Sequence, residues 1–226
     1  MFAIEPGKDY AVITGDVIAS SDLEAAQRKQ LPATIESIAS TLTKWLGADE
    51  VAPVAIFGGD SWQLLLATPA HALRAALFVR ASLLASPLEV DTRLAIAVGG
   101  VDFVPKAGIE QADGEALRMS GRLLSELSGR SVSMGFECPD KALSRHWDLV
   151  ACLVDALVRT NWTANRARAV SGALRGLTGV QIGELWPTPI SKQTAGRHLT
   201  EVAWEALDRV LDAYEADLGP PSAPES

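Results

Sequence analysis

Residues 54–66 read VAIFGGDSWQLLL, and this stretch decides the fold. Val54, Ala55, Ile56 and Phe57 make a short apolar run. Gly58, Gly59 and Asp60 form a tight turn, and residues 62–66 return as a second apolar run. Two such runs joined by Gly-Gly-Asp predict a β-hairpin. On its N-terminal side, residues 23–46 carry Leu31, Ile35, Ile38, Leu42, Trp45 and Leu46 at helical spacing. Pro32 is expected to kink this helix or to start its second segment. Residues 10–17, YAVITGDV, predict a buried strand that ends at an Asp. On the C-terminal side, residues 70–84 read as a helix and 93–104 as a long strand. Residues 114–127 read as a helix and 132–136 as a final strand.

The order is β-α-β-β-α-β, then α and β. This α+β pattern is a ferredoxin-like, split βαβ palm, expected to carry helices on one sheet face and chemistry in its loops. Beyond about residue 139 strand signals vanish. Helices are expected over 149–157, 164–174, 180–185, 192–198 and 201–214. The organisation expected is therefore a palm domain over 1–138, an all-α, helix-turn-helix-like domain over 139–218, and a flexible Pro/Ser-rich tail over 219–226.

A chain of 226 residues with 48% hydrophobic content has enough apolar side chains to bury a core. Cys138 and Cys152 form no CxxC, which fits a reducing, cytoplasmic setting. No signal peptide is expected from the opening MFAIEPGKDY, and no apolar run is long enough to span a membrane. A net charge of −8 argues against a protein that coats nucleic acid generally, and leaves room for a local basic patch. His71, His146 and His198 are scattered, so no zinc site is expected, and a catalytic thiol is improbable. Ser20 and Ser21 read as turn or cap residues, and the tryptophans mostly as core.

Asp16 ends the first strand and Asp60 sits in the hairpin turn. In a βαββαβ sheet the first strand is expected to pair beside the strand that leads into this hairpin, which brings the two carboxylates together. Paired carboxylates there suit Mg²⁺ or Mn²⁺, which take oxygen ligands and retain water. Such ions would bridge a triphosphate and polarise an attacking hydroxyl. Taken by spacing alone, Asp16 is equally a helix cap and Asp60 an ordinary turn residue.

Residues 93–101, RLAIAVGGV, resemble the R-x-G-I-x-x-G-x-V strand of class III nucleotidyl cyclases. Residues 114–124, GEALRMSGRLL, resemble the G-x-x-V-N-x-A-x-R-L motif of the same family, with Gly114, Leu117, Ser120 and Arg122 in register. The resemblance implies that Asp16 and Asp60 are metal ligands. It makes Arg122 a catalytic, transition-state arginine, and Val17, Ile18, Arg118 and Arg122 nucleotide contacts. It also implies a homodimer with sites shared between protomers. Arg118 stands where the family has its ribose-orienting Asn, and Ile56 where it has a base-reading Lys. The hairpin's Gly-Gly-Asp is also similar to that of diguanylate cyclases, with Ser61 and Trp62 replacing the last two motif residues. The chain as a whole resembles the SatD family of small bacterial proteins, through Gly15, Asp16 and Ser20 and through Gly59, Asp60 and Gln63.

Residues 149–214 have the rhythm of a helix-turn-helix unit. TGVQIGEL is the expected first helix, Trp186 to Pro189 the turn, and ISKQTAGRHL the reading helix. Ser191, Lys192, Gln193, Thr194, Arg197 and His198 are the candidate DNA contacts. Residues 159–200 hold six basic residues against Glu184 alone, a net of 6 − 1 = +5. A solvated or packing face accounts for the same charges. The turn is longer than usual, and base-reading side chains are few.

Three functions follow as expectations. The first is a DNA-binding regulator whose degenerate cyclase-like domain binds metal–nucleotide or dimerises. The second is an active Mg- or Mn-dependent nucleotidyl cyclase or nucleotidyltransferase of unusual base preference. The third is a non-catalytic structural dimer.

Overall fold

In the computed structural model, residues 2–105 and 108–219 are described. Strand β1 (Asp9–Val17) is followed by helix α1 (Ala25–Leu46), the hairpin β2 (Ala55–Phe57) and β3 (Ser61–Leu66), helix α2 (Ala72–Ala85) and strand β4 (Thr92–Gly100). Helix α3 (Glu115–Leu127) leads to β5 (Met134–Glu137). The remaining elements are helices α4 (Lys141–Asn161), α5 (Ala164–Leu174), α6 (Gly179–Gly183), α7 (Lys192–Glu201) and α8 (Trp204–Leu218). The α+β order read from the sequence is the order observed.

The sheet runs β2-β3-β1-β4-β5. Its first three pairings are antiparallel, and β5 joins β4 in parallel after the α3 crossover. The side-chain period of two sorts each strand between faces. Ala11, Ile13 and Val17 of β1 and Leu94, Ile96 and Val98 of β4 enter the main core under α1 and α2. Tyr10 and Val12 face the other way, into a smaller cluster with Leu65, Ala116 of α3 and Ile109. Both sheet faces are therefore covered, where one was expected.

Three local expectations shift. Helix α1 continues through Pro32 without a break. The carbonyl that Pro32 leaves without its helical donor belongs to Arg28, an exposed residue. Strand β4 stops at Gly100 and not at 104, because Asp102 and Phe103 turn aside to pair with Asp113. Helix α4 begins at Lys141, well before 149. Asp140 caps it, its carboxylate accepting the amides of Ala142 and Leu143. Only Trp147 is buried in its first two turns, so the apolar period there is thin.

Helix α2 is buried all round, from Ala72 to Leu83. A helix apolar on every side needs cover on every side. The sheet covers one side, and α5 and α8 cover the other. Val154 of α4, Val170 of α5 and Leu211 of α8 belong to the same hydrophobic cluster as Ile13 and Ile96 of the sheet. The boundary placed between 138 and 139 falls in the link from β5 to α4, and the core crosses it without a gap. Arg80 of α2 ties the two sides together. It is fully buried, grips Asp91 with two hydrogen bonds (2.7 and 2.8 Å) and bonds Asp155 of α4 at 2.7 Å. Burial works against this charge, but the hydrogen bonds and charges of Asp91 and Asp155 outweigh it and raise the Arg80 pKa. Arg74, also on α2, reaches Glu215 (2.5 Å), Asp212 (3.6 Å) and Asp208 (3.8 Å), so the acidic side of α8 is docked onto a cation.

Helices α6 and α7 lie at the edge of this core, which Leu199 of α7 touches. They close a small cluster of Ala169, Ile182 and Ala195 with Trp186 and Ile190 at its edge. The tail expected at 219–226 lies outside the described residues, save for Gly219.

Candidate functional site

Asp16 and Asp60 meet at one end of the sheet. Asp16 is opposite Ser61 of β3 and Arg93 of β4. The Val17 amide donates to the Asp60 carbonyl at 3.1 Å, which locks the hairpin turn against the end of β1. Gly58 and Gly59 make that turn with φ of 60° and 94°, a region that favours glycine. Gly15 is required for a different reason. A Cβ there would lie 2.4 Å from the ring of Trp62 and 2.8 Å from the Arg93 carbonyl. The fully buried indole of Trp62 fills the core directly under the strand that carries Asp16.

The two carboxylates are held differently. Asp16 Oδ2 accepts a 2.8 Å hydrogen bond from Arg93 Nη1, while Oδ1 is buried without a hydrogen-bond partner among the described residues. Asp60 Oδ2 accepts the Ser20 hydroxyl at 2.5 Å. The segment after β1 is anchored by the Ile18 amide on the Asp91 carbonyl (2.9 Å). It then turns through Ala19, at φ 55°, into a 3₁₀ turn over Ser20–Asp22. Val17 and Ile18, the expected nucleotide contacts, thus border the carboxylates, and the Val17 side chain itself is buried in the core. Among the described residues no group of three or more His, Cys, Asp or Glu is arranged to hold a metal. An ion at Asp16 and Asp60 would take the rest of its coordination from backbone oxygen, water or ligand. The orphaned Asp16 Oδ1 fits such an ion, because it is a buried acceptor that nothing in the chain satisfies.

Two partners here went unassigned in the sequence. Ser20 had a turn or cap role and a motif position, and Arg93 a motif position alone. A third feature lies deeper in the sheet. Gln63 donates to Thr14 (3.0 Å), and Thr14 to Ser120 of α3 (2.8 Å), all three buried. This polar relay fastens α3 to β1 and β3.

Arg118 and Arg122 do not join the carboxylates within one chain. Arg118 pairs with Asp113 at 2.5 Å and lies 3.8 Å from Asp102, both beyond the far end of β4. Arg122 pairs with Glu137 of β5, which is opposite Ala97. Ala97 is four residues along β4 from Arg93, or about 13 Å at the usual strand rise. Both arginines are more than half exposed.

The helical segment spends most of its basic charge internally. Arg166 pairs with Glu201 at 2.9 Å, and Arg168 bonds the Ala85 carbonyl and lies over the Trp186 ring. Arg175 bonds the Ser171 carbonyl and lies over Phe78; burial lowers its pKa. Arg159 bonds the Ser131 carbonyl. Ser191 caps α7 and meets Thr194, while His198 is stacked on Trp186 at 5.6 Å. Of the six candidate DNA contacts, Lys192, Gln193 and Arg197 remain as the exposed ones free of such roles. Helix α6, the expected first helix of the pair, has five residues. Burial pushes the Cys138 thiol up to about 11, so it is no ready nucleophile.

No helix among the described residues is long and apolar enough to cross a membrane. No protein-family model matches the sequence. No curated protein matches it either. Among solved structures, the chain is similar to a bacterial light-regulated adenylyl cyclase (TM-score 0.43, 17% identity, 57% of this chain and 75% of that one). It is also similar to the active GGEEF domain of a diguanylate cyclase from Vibrio cholerae (TM-score 0.43, 11% identity, 58% and 83%). A third is the guanylyl cyclase Cya2 (TM-score 0.40, 13% identity, 53% and 70%). These are distant likenesses over little more than half of this chain.

Proposed function

We propose that this chain binds a divalent metal–nucleoside triphosphate at the Asp16–Asp60 end of its sheet, as a degenerate relative of the nucleotidyl cyclases. The observation that carries this reading is the buried, unpartnered Oδ1 of Asp16 beside a second carboxylate. A buried acceptor without a donor is costly, by about 1–3 kcal/mol, and a cation removes that cost. Bound Mg²⁺ or Mn²⁺ would polarise a phosphoryl oxygen. Arg93 neutralises Asp16 in the meantime, and Ser20 orients Asp60. Degeneracy is supported by Arg118 at the ribose-orienting position and by Ile56, which packs against the main core, at the base-reading one. Arg118 and Arg122 contribute to a triphosphate site only from a second copy, so the reading includes a homodimer. The two Gly-Asp motifs support placing the chain among SatD proteins.

Thermal unfolding with Mn²⁺ and each nucleoside triphosphate tests the site. At ligand near 100 times Kd the gain is about 2.7 kcal/mol. The gain should vanish in Asp16→Asn and Asp60→Asn, and an equal gain in both variants would sink the assignment. Mass spectrometry of the same mixtures reads turnover, where a cyclic product would favour the active enzyme.

A second reading adds duplex DNA as a partner, supported by the exposed Lys192, Gln193 and Arg197 on α7. Salt-dependent duplex binding should fall in the Lys192→Ala/Arg197→Ala double variant. The absence of binding at low salt would remove this reading.

A further inference from the structure

Arg93 has two sides. One side meets Asp16. The other borders a crevice of about 440 Å³, lined also by Ile18, Arg130, Ser131, Arg159 and Trp162. Three arginines thus line it from three places: the start of β4, the link from α3 to β5, and the last turns of α4. None is used up by its protein partners. Arg93 bonds Asp16 through Nη1, Arg130 reaches Glu126 through Nη2 at 3.1 Å, and Arg159 holds the Ser131 carbonyl through Nη1. A guanidinium carries five N–H donors, so each retains several.

The carboxylates nearby are engaged from behind. Asp91 also lines the crevice, but Arg80 takes both its oxygens, and the Thr92 amide adds a third bond. Asp155, 3.9 Å from Arg159, is held by Arg80 and by the Ser133 amide. Independently, Trp162 is only 8% exposed, and its indole Nε1 is buried with no partner. A crevice lined by three arginines and by a tryptophan with an unpartnered indole N–H calls for a ligand that only accepts. The ligand must offer several oxygens and carry negative charge.

We infer that this crevice is an oxyanion site for phosphate or the end of a polyphosphate, formed by Arg130, Arg159 and Trp162 beside Arg93. The site needs no divalent metal, and it stands whether or not Asp16 and Asp60 hold one. Its ligand is free phosphate or pyrophosphate, or the phosphate tail of a nucleotide; the chemistry is the same. Two of its residues, Arg159 and Trp162, come from the helical segment, which gives that segment a part in ligand binding.

The test is titration of the full chain with sodium pyrophosphate in EDTA, by calorimetry and thermal unfolding, against sodium chloride of equal ionic strength. Pyrophosphate should raise Tm above the chloride control. The Arg130→Gln/Arg159→Gln variant should weaken binding by about tenfold or more, the loss expected for charge-assisted donors. Asp16→Asn, which removes a negative charge bonded to Arg93, should not weaken it. Arg130→Gln alone and Trp162→Phe keep the test decisive if removal of the Arg159–Ser131 bond disturbs the fold. Each should weaken binding while circular dichroism stays constant. A second arm uses Mn²⁺ with a nucleoside triphosphate. Weakening confined to pyrophosphate assigns the crevice to a free anion, and weakening of both assigns it to the nucleotide tail. No rise over chloride, or a rise untouched by the arginine and tryptophan variants, overturns the site.

Discussion

Arg80 and Arg93 both meet carboxylates, on opposite terms. Arg80 is fully buried, bonds two aspartates, and those aspartates accept backbone amides from Thr92 and Ser133. Arg93 is a quarter exposed, bonds one aspartate, and leaves that aspartate's other oxygen orphaned. The first network is closed, and it joins α2, the start of β4 and α4 into one body. The second is open at the end of a sheet, next to a glycine turn. Closed polar networks build structure, whereas an open one offers a binding opportunity.

The comparison breaks most visibly at Asp155. Asp155→Ala leaves Arg80 short of a counter-charge in the core and should cost about 3–5 kcal/mol in urea unfolding. A cost below about 1 kcal/mol would mean that the network does not join the helical segment to the sheet. Gly15→Ala comes next. Its Cβ overlaps the Trp62 ring and the Arg93 carbonyl, and overpacking of this kind costs about 1–3 kcal/mol. Pairing it with Trp62→Leu should recover part of the loss, and no recovery would place the strain in the backbone contact alone. Asp16→Asn sharpens the contrast. Without ligand it should change stability by less than about 1 kcal/mol, since the Arg93 pair is partly exposed. A loss as large as that of Asp155→Ala would recast Asp16 as structural.

The smallest effect concerns Glu50 and His71, whose side chains meet at 2.9 Å. Glu50 raises the His71 pKa above 6.5 through its hydrogen bond, against a smaller opposing effect of burial. Burial pushes Glu50 up, but hydrogen bonds from His71 and Thr68 outweigh it and hold the carboxyl below 4.5. His71 therefore stabilises fully below pH 6.5, and that contribution fades as pH rises through its folded value. Glu50 stabilises above pH 4.5, and its contribution fades as pH falls. The pair should add most between those limits. The gain stays under about 1 kcal/mol because His71 is well exposed. Melting curves of wild type and His71→Gln from pH 4 to 9 check this, and a pH-independent difference would refute it.

Much of the element order was legible from local pattern. The hairpin at Gly58 and Gly59, the helix over 164–174 and the Asp at the end of the first strand depend on nearest neighbours along the chain, and each stands where it was read. That Asp16 and Asp60 lie at the same end of the sheet was legible too, but the strand expected beside β1 was the one leading into the hairpin, and the observed neighbour is β3, which leaves it. The role of Arg93 was not legible, since it needs the β1–β4 register. Ser20 read as a cap because only the folded hairpin brings Asp60 to it. Arg80 looked like one more helix residue, and its partners are 11 and 75 positions away. The basic run from Arg159 to Arg197 shows the converse limit. Its charges were countable in the sequence, but whether they face solvent or Glu201, Trp186 and Phe78 was not.

By itself, the sequence determined the order of elements, the glycines at which the chain turns and the carboxylates at the strand end. These follow from backbone sterics and side-chain period, which act over a few residues. Tertiary structure decided that the helical segment shares the sheet's core, that Arg80 closes its network while Arg93 leaves one open, and that three arginines from separate elements border one crevice. Those outcomes depend on burial and on partners far apart in the chain. The cost of an unpaired charge or donor exists only once water has been excluded.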